Sequence, residues 1–270
     1  MIGCWLGVLD RNTLHRIDQF YYEERLMYAD PDYNRSGLME WEQCAIKTHF
    51  PRRGRLLLVG AGGGREALAL HRLGYEVDAY ECHPKLRAAA EQLLRDDGMA
   101  ATVRFAPRDM VVENDVTYDG AVIGWTAYTL IQGRAQRLAL LSAVKQQLID
   151  DAPLLLSFFV RSASDRSFHM VTKAANTIRR ILRRPDRIEL GDNLVYNFAH
   201  HFLPAEVENE LREGGFQPAE TVCLGASGYA VGLAAQERHD THGLRVDTAS
   251  QSAKIQDSTV GLVERTSLIP

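Results

Sequence analysis

The stretch Leu56-Leu57-Leu58-Val59-Gly60-Ala61-Gly62-Gly63-Gly64-Arg65-Glu66 joins an apolar run to a glycine turn that opens a helix. A short continuous apolar run bounded by glycines reads as a strand covered on both faces. Gly60, Gly62 and Gly64 give the pattern GxGxG. A dinucleotide fingerprint would place its third glycine at position 65, which is Arg65 here. Glycines at such a turn matter because, with no Cβ, the backbone can lie against a ligand.

The pattern around this turn repeats. Candidate strands lie at 55–59, 76–80, 102–105, 119–124, 153–160, 219–224 and 228–234, with helical patterns at 64–73, 84–97, 134–149, 164–183 and 204–214. Such alternation predicts an α/β, doubly wound, mostly parallel sheet wrapped by helices. The last two strands differ. Only Gly225, Ala226 and Ser227 separate them, so no crossover helix fits and the pair must be an antiparallel hairpin.

The flanks divide the chain into three parts. Residues 1–50 read as an N-terminal helical cap, with Phe20, Tyr21, Tyr22, Tyr28 and Tyr33 clustered and a break at Asp30-Pro31-Asp32. Such a cap packs on the sheet or acts as a lid. Residues 51–236 form the ligand-binding domain. Residues 237–270 are polar and read as a loosely docked tail, in which Val260, Leu262 and Val263 offer a short strand or an oligomer contact, leaving a homodimer open.

Composition excludes several classes. The chain has 270 residues, 46% hydrophobic and 24% charged, with a net charge of -4. This gives no global pull toward nucleic acid or an anionic membrane. No apolar stretch approaches the roughly 20 residues of a membrane helix. Cys4, Cys44, Cys82 and Cys223 are scattered without a CxxC pair, which fits reduced thiols and no zinc site. A cytoplasmic protein without a resident metal is expected.

From about residue 50 to 235 the chain resembles the class I, Rossmann-like, S-adenosylmethionine (SAM)-dependent methyltransferases. Four positions carry the resemblance: the turn Gly60-Ala61-Gly62-Gly63-Gly64, the acid Glu81 about 20 residues beyond the first glycine, Asp109-Met110 after the third strand, and Gly124-Trp125 after the fourth. The resemblance implies a seven-stranded sheet in the order 3-2-1-4-5-7-6 with SAM as cofactor and S-adenosylhomocysteine as product. It implies that the turn faces the methionine moiety, that Glu81 and the adjacent Cys82 meet the ribose, and that Asp109 and Met110 meet the adenine. Trp125 would wall the pocket. The family often has an acid two residues before the first glycine. Here that position is Leu58, and Glu66 across the turn is the substitute. Arg65 is a candidate partner for the cofactor's carboxylate.

Methyl transfer from a sulfonium is an in-line displacement in which positioning does most of the work. His200 and His201 stand just before Phe202-Leu203-Pro204, where the acceptor pocket of small-molecule methyltransferases is often lined, and are the candidate bases with Tyr33. Adjacent residues in an extended chain point oppositely, so both histidines do not readily share one metal ion. The basic segment Arg179–Arg187 has no aromatic interleaving, so nucleic acid is disfavoured and a small-molecule or peptide acceptor is expected. An aminopropyltransferase-like enzyme is the alternative, but it would need an acid after strand four, where Ile123-Gly124-Trp125-Thr126 has none. A non-catalytic SAM-binding scaffold is the alternative of a different class.

Overall fold

The computed structural model describes residues 2–100, 102–112 and 115–236, so the polar tail from residue 237, with its candidate strand and oligomer contact, lies outside the described residues. Four helices come first: α1 (Ile2–Val8), α2 (Arg11–Glu24), α3 (Pro31–Arg35) and α4 (Glu40–His49). Then β1 (Arg55–Val59), α5 (Arg65–Arg72), β2 (Glu76–Glu81), α6 (Pro84–Asp96), β3 (Val103–Phe105) and β4 (Gly120–Ile123) alternate. They are followed by α7 (Arg134–Gln146), β5 (Pro153–Val160), α8 (Arg166–Ile181), β6 (Asp192–Leu194), β7 (Phe198–Phe202), α9 (Pro204–Glu213), β8 (Phe216–Leu224) and β9 (Ser227–Ala234).

The strands β3, β2, β1, β4 and β5 lie side by side and parallel. β9 then pairs antiparallel with β5, and β8 antiparallel with β9. With the hairpin counted as strands six and seven, this is the order 3-2-1-4-5-7-6. The hairpin forms because the turn at Ala226 leaves no room for a crossover.

Two strands were not visible in the sequence pattern. β7 pairs parallel with the tip of β5 at Phe159 and Val160, and β6 folds back antiparallel on β7. Phe159 also aligns with Ser227 of β9. A residue has only two edges, so β7 takes the edge that β4 occupies lower down. β5 outruns β4, and β7 fills the gap.

Alternation along each strand sorts the core into two layers. Leu57, Val59, Ile123, Leu154 and Leu156 face one side, against Leu140, Leu141 and Val144 of α7 and Leu211 of α9. Leu56, Leu58, Val122 and Leu155 face the other, against Leu68 and Leu70 of α5 and Leu93 of α6. Leu58 is fully buried in that second layer. Of the N-terminal helices, α1 and α2 are seated by a smaller cluster of Leu6, Leu14, Ala175, Ile188 and Phe198, whereas Ala45 and Ile46 of α4 join the second layer.

Candidate functional site

A cleft opens at the carboxyl ends of β1, β2 and β4, where the strand order reverses on either side of β1. Open α/β sheets bind ligands at this switch point. The cleft encloses about 850 Å³ of empty space, its open mouth included. Its floor is the glycine turn. Gly60 and Ala61 both donate to the Tyr80 carbonyl at 2.9 Å, so the turn is pinned to β2. Gly60, Gly62 and Gly64 have φ of 75°, 55° and 98°, which disfavours any other residue.

The glycines do different jobs. A Cβ at Gly62 would meet nothing within 4 Å, so that backbone faces open space in the cleft. A Cβ at Gly63 would sit 2.0 Å from the Tyr28 carbonyl oxygen and 2.4 Å from Asn34 Nδ2, because the segment before α4 lies directly on the turn. A Cβ at Gly64 would meet Ala90 and Leu93 of α6. Gly64 therefore serves the packing of α5 on α6 and does not line the cleft, whereas Gly63, not singled out in the sequence, does.

Glu81, at the tip of β2, is buried and turned into the cleft wall. Its Oε2 accepts from Gly62 N at 2.7 Å and its Oε1 from His83 N at 2.8 Å. Oε1 also accepts from the Cys82 thiol at 3.4 Å, so at two lone pairs per oxygen one acceptor site stays free on Oε2, and a second opens only where a ligand hydroxyl displaces that weak S–H donor. Cys82 lines the cleft beside it, and burial pushes its thiol up to about 12, leaving it an un-ionised wall residue.

Arg65 and Glu66 open α5 and both line the cleft. Arg65 grips Glu42 of α4 through two bonds of 2.6 and 2.7 Å, and bonds Glu66 at 2.7 Å and the Gly37 carbonyl at 2.9 Å. Its donors are committed to the protein, which limits it as a direct partner for a ligand carboxylate. Glu66 also accepts from Trp125 N at 3.0 Å, which ties the β4 loop to the turn. Burial pushes the Glu66 carboxyl up, against the pull of Arg65. The buried set holds two carboxyl groups and one guanidinium, so it carries a surplus negative charge only while Glu66 is ionised, the form that its burial disfavours.

The N-terminal helices complete the wall with Tyr22, Tyr28, Tyr33 and Asn34. α2 is clamped over the tip of β2 by Asp18, buried against Arg108 and 3.3 Å from His83 Nε2. Arg108 in turn donates to His83 Nε2 at 2.6 Å, and Asn197 donates to Asp18 at 2.8 Å. An arginine can only donate, so that imidazole nitrogen acts as acceptor. Asp18 and His83 carried no signal in the sequence, because their partner Arg108 is remote along the chain. Arg108 points into the cleft, while its neighbours Asp109 and Met110, half-exposed and exposed, do not line it.

The candidate bases separate. Tyr33 lines the cleft; His200 and His201 do not. His201 is half-buried on β7, stacked on Phe159 and tilted against Phe168. His200 points the other way, buried and bonded through Nδ1 to Asp192 at 2.7 Å. Glu189, Asp192 and His200 bring possible metal-ligand atoms within 4.8 Å of one another. Their oxygens already have protein partners: Glu189 accepts from Arg134 N and Arg137, and Asp192 from Glu189 N and His200.

Within this geometry the solved structures become informative. No family model matches the chain, and no curated protein matches it in sequence. A SAM-dependent methyltransferase from Methanosarcina mazei superposes with a TM-score of 0.57 at 20% identity, covering 74% of this chain and 100% of its own. The chain has the class I SAM-dependent methyltransferase fold. The same fold is shared with the CcbJ methyltransferase of Streptomyces caelestis, at TM-score 0.54 and 11% identity, covering 80% of this chain and 96% of that one. It is shared again with the 1,6-didemethyltoxoflavin-N1-methyltransferase of Burkholderia thailandensis, solved with 1,6-didemethyltoxoflavin and S-adenosylhomocysteine. That pair gives a TM-score of 0.55 at 17% identity, covering 85% of this chain and 92% of that one.

Proposed function

We propose that this chain is a SAM-dependent methyltransferase acting on a small-molecule acceptor. The observation that carries the reading is the pairing of the open Gly62 backbone with the Glu81 carboxylate at 2.7 Å, on the floor of a cleft at the switch point of this fold. The residues fit the cofactor. Glu81 keeps a free acceptor site on Oε2 for one ribose hydroxyl and a second that the weak Cys82 thiol donor can yield, Gly62 admits close approach, and the Glu66 carboxyl on the cleft wall offers an acceptor to an ammonium group. When bound, SAM supplies a methyl group already activated as a sulfonium.

What remains for the protein is alignment. The wall beyond the turn is apolar, built by Trp125, Ala127, Leu130, Ile131 and Leu140, and suits a compact, largely apolar acceptor. Burial pushes the phenols of Tyr22, Tyr28 and Tyr33 above their ordinary value, so they present O–H donors to the cleft and are poor bases at neutral pH. Methyl transfer here runs on positioning, with the three tyrosines orienting the acceptor. The test is calorimetry with SAM and S-adenosylhomocysteine. Both should bind, and Glu81→Ala should weaken both by roughly 1–3 kcal/mol, the worth of hydrogen bonds to a charged group. A folded chain that binds neither ligand overturns the reading. A chain that binds SAM but methylates no compound from a small-molecule library overturns its catalytic half.

A further inference from the structure

We propose that the exposed face of α8, with the turn that follows it, docks on an anionic lipid surface. Residues 166–187 hold seven Lys or Arg against the single acid Asp186, in a chain whose net charge is -4. Asp186 is spent on Arg179, which is buried and caps the carbonyls of Leu6 and Leu9 at the end of α1. α8 itself contains no Asp or Glu. Arg166, Lys173, Arg180, Arg183 and Arg187 are exposed, and none is ion-paired among the described residues.

At 3.6 residues per turn, Arg166, Met170, Lys173, Thr177, Arg180 and Ile181 fall within an arc of about 100°. The opposite arc, with Val171, Ala175 and Ile178, packs on Gly3 and Gly7 of α1. The outward arc is therefore one continuous surface, and it is not purely basic. Met170 and Ile181 are 66% and 73% exposed, and Leu182 beyond the helix end is 49% exposed. Cations and large aliphatic side chains on one exposed helical face match the two layers of an anionic membrane surface: headgroup charge outside, acyl chains just beneath. A nucleic acid matches less well, since the face has no aromatic ring to stack a base and exposes aliphatic groups a phosphate backbone does not cover. No described helix is long and apolar enough to cross a membrane, so the contact is peripheral.

The test is sedimentation of the full chain with phosphatidylcholine vesicles, with and without phosphatidylglycerol. The chain should pellet with the anionic vesicles only, and added salt should release it. R180E/R183E/R187E should weaken that binding by about tenfold or more. I181S/L182S, which leaves the charge unchanged, should weaken it several-fold. Both sets sit on the surface, and an unchanged thermal transition confirms their folding. Equal pelleting with neutral vesicles, no pelleting at low salt, or wild-type binding by both variants overturns the proposal. So does a wild-type chain that binds an RNA or DNA oligonucleotide but no vesicle. The comparison of vesicle compositions needs no variant and decides the matter even if a variant misfolds.

Discussion

Gly62 and Gly63 are adjacent, yet the structure gives them opposite consequences. At Gly62, alanine meets no protein atom but must adopt φ of 55° and projects its methyl into the cleft. Gly62→Ala should cost about 1 kcal/mol of stability from the left-handed backbone and lose most of the SAM affinity. At Gly63 the same methyl strikes the Tyr28 carbonyl 2.0 Å away, so the segment carrying Tyr28 and Asn34 must move. Gly63→Ala should lower the melting temperature more than Gly62→Ala does. Melting curves and calorimetry on the two variants check this, and the reverse ranking would remove Gly62 from the ligand face. Arg65 makes a different residue-scale prediction. Arg65→Met leaves Glu42 and Glu66 buried without their shared counter-charge, which should cost about 3–5 kcal/mol in urea unfolding. A loss below about 1 kcal/mol would mean the carboxylates relax to solvent or take up protons at little cost.

At the scale of elements, α2 is the part of the N-terminal cap whose position depends on charge. Asp18→Asn removes the carboxylate that faces Arg108 and His83, leaving a buried guanidinium without its anion. Amide exchange over residues 11–24 should rise, while exchange in β1 and β4 stays as in the parent chain. Equal protection of α2 in both proteins would show that Leu14 and its apolar neighbours hold it alone. This clamp also marks the boundary of what the sequence discloses. β1, β5 and α5 were legible because each carries its own period and is closed by glycine, proline or a polar turn. The β8–β9 hairpin was legible because three residues cannot cross a sheet. β6 and β7 were not: β6 has three residues, and β7 is set by the unpaired tip of β5, a consequence of strand lengths in three dimensions. In the cleft, Gly60, Gly62 and Glu81 were readable from the glycine turn and the spacing beyond it, and Glu66 and Trp125 from the family resemblance. Gly63, Asp18 and His83 were hidden because their roles depend on the N-terminal segment folding back over the turn.

For the molecule as a whole, three half-buried histidines predict how stability responds to acid. His15 of α2, His71 of α5 and His201 of β7 all have their pKa pushed below the ordinary 6.5, chiefly because burial disfavours the charged ring. His71 Nε2 is buried with no hydrogen-bond partner, so protonating it would strand an N–H. The unfolded chain binds protons at these sites before the folded one does. Stability is therefore highest above the ordinary value and falls as pH drops through 6.5 toward the folded values. Asp18 adds a second, lower window. Burial alone would raise its pKa, but the Arg108 guanidinium, helped by the Asn197 amide, outweighs this and lowers it below 3.8. Its contribution is present above 3.8 and is lost as pH falls through the depressed folded value. The three histidines sit on the cap, the sheet flank and the added strand pair, so the first loss should appear as one cooperative shift in the urea midpoint and not as fraying of one element. Substituting all three by Gln should flatten the midpoint between neutral and mildly acid pH while leaving the steeper acid limb in place. A parent chain whose midpoint is already flat across that interval would show that the rings stay solvated in the folded state.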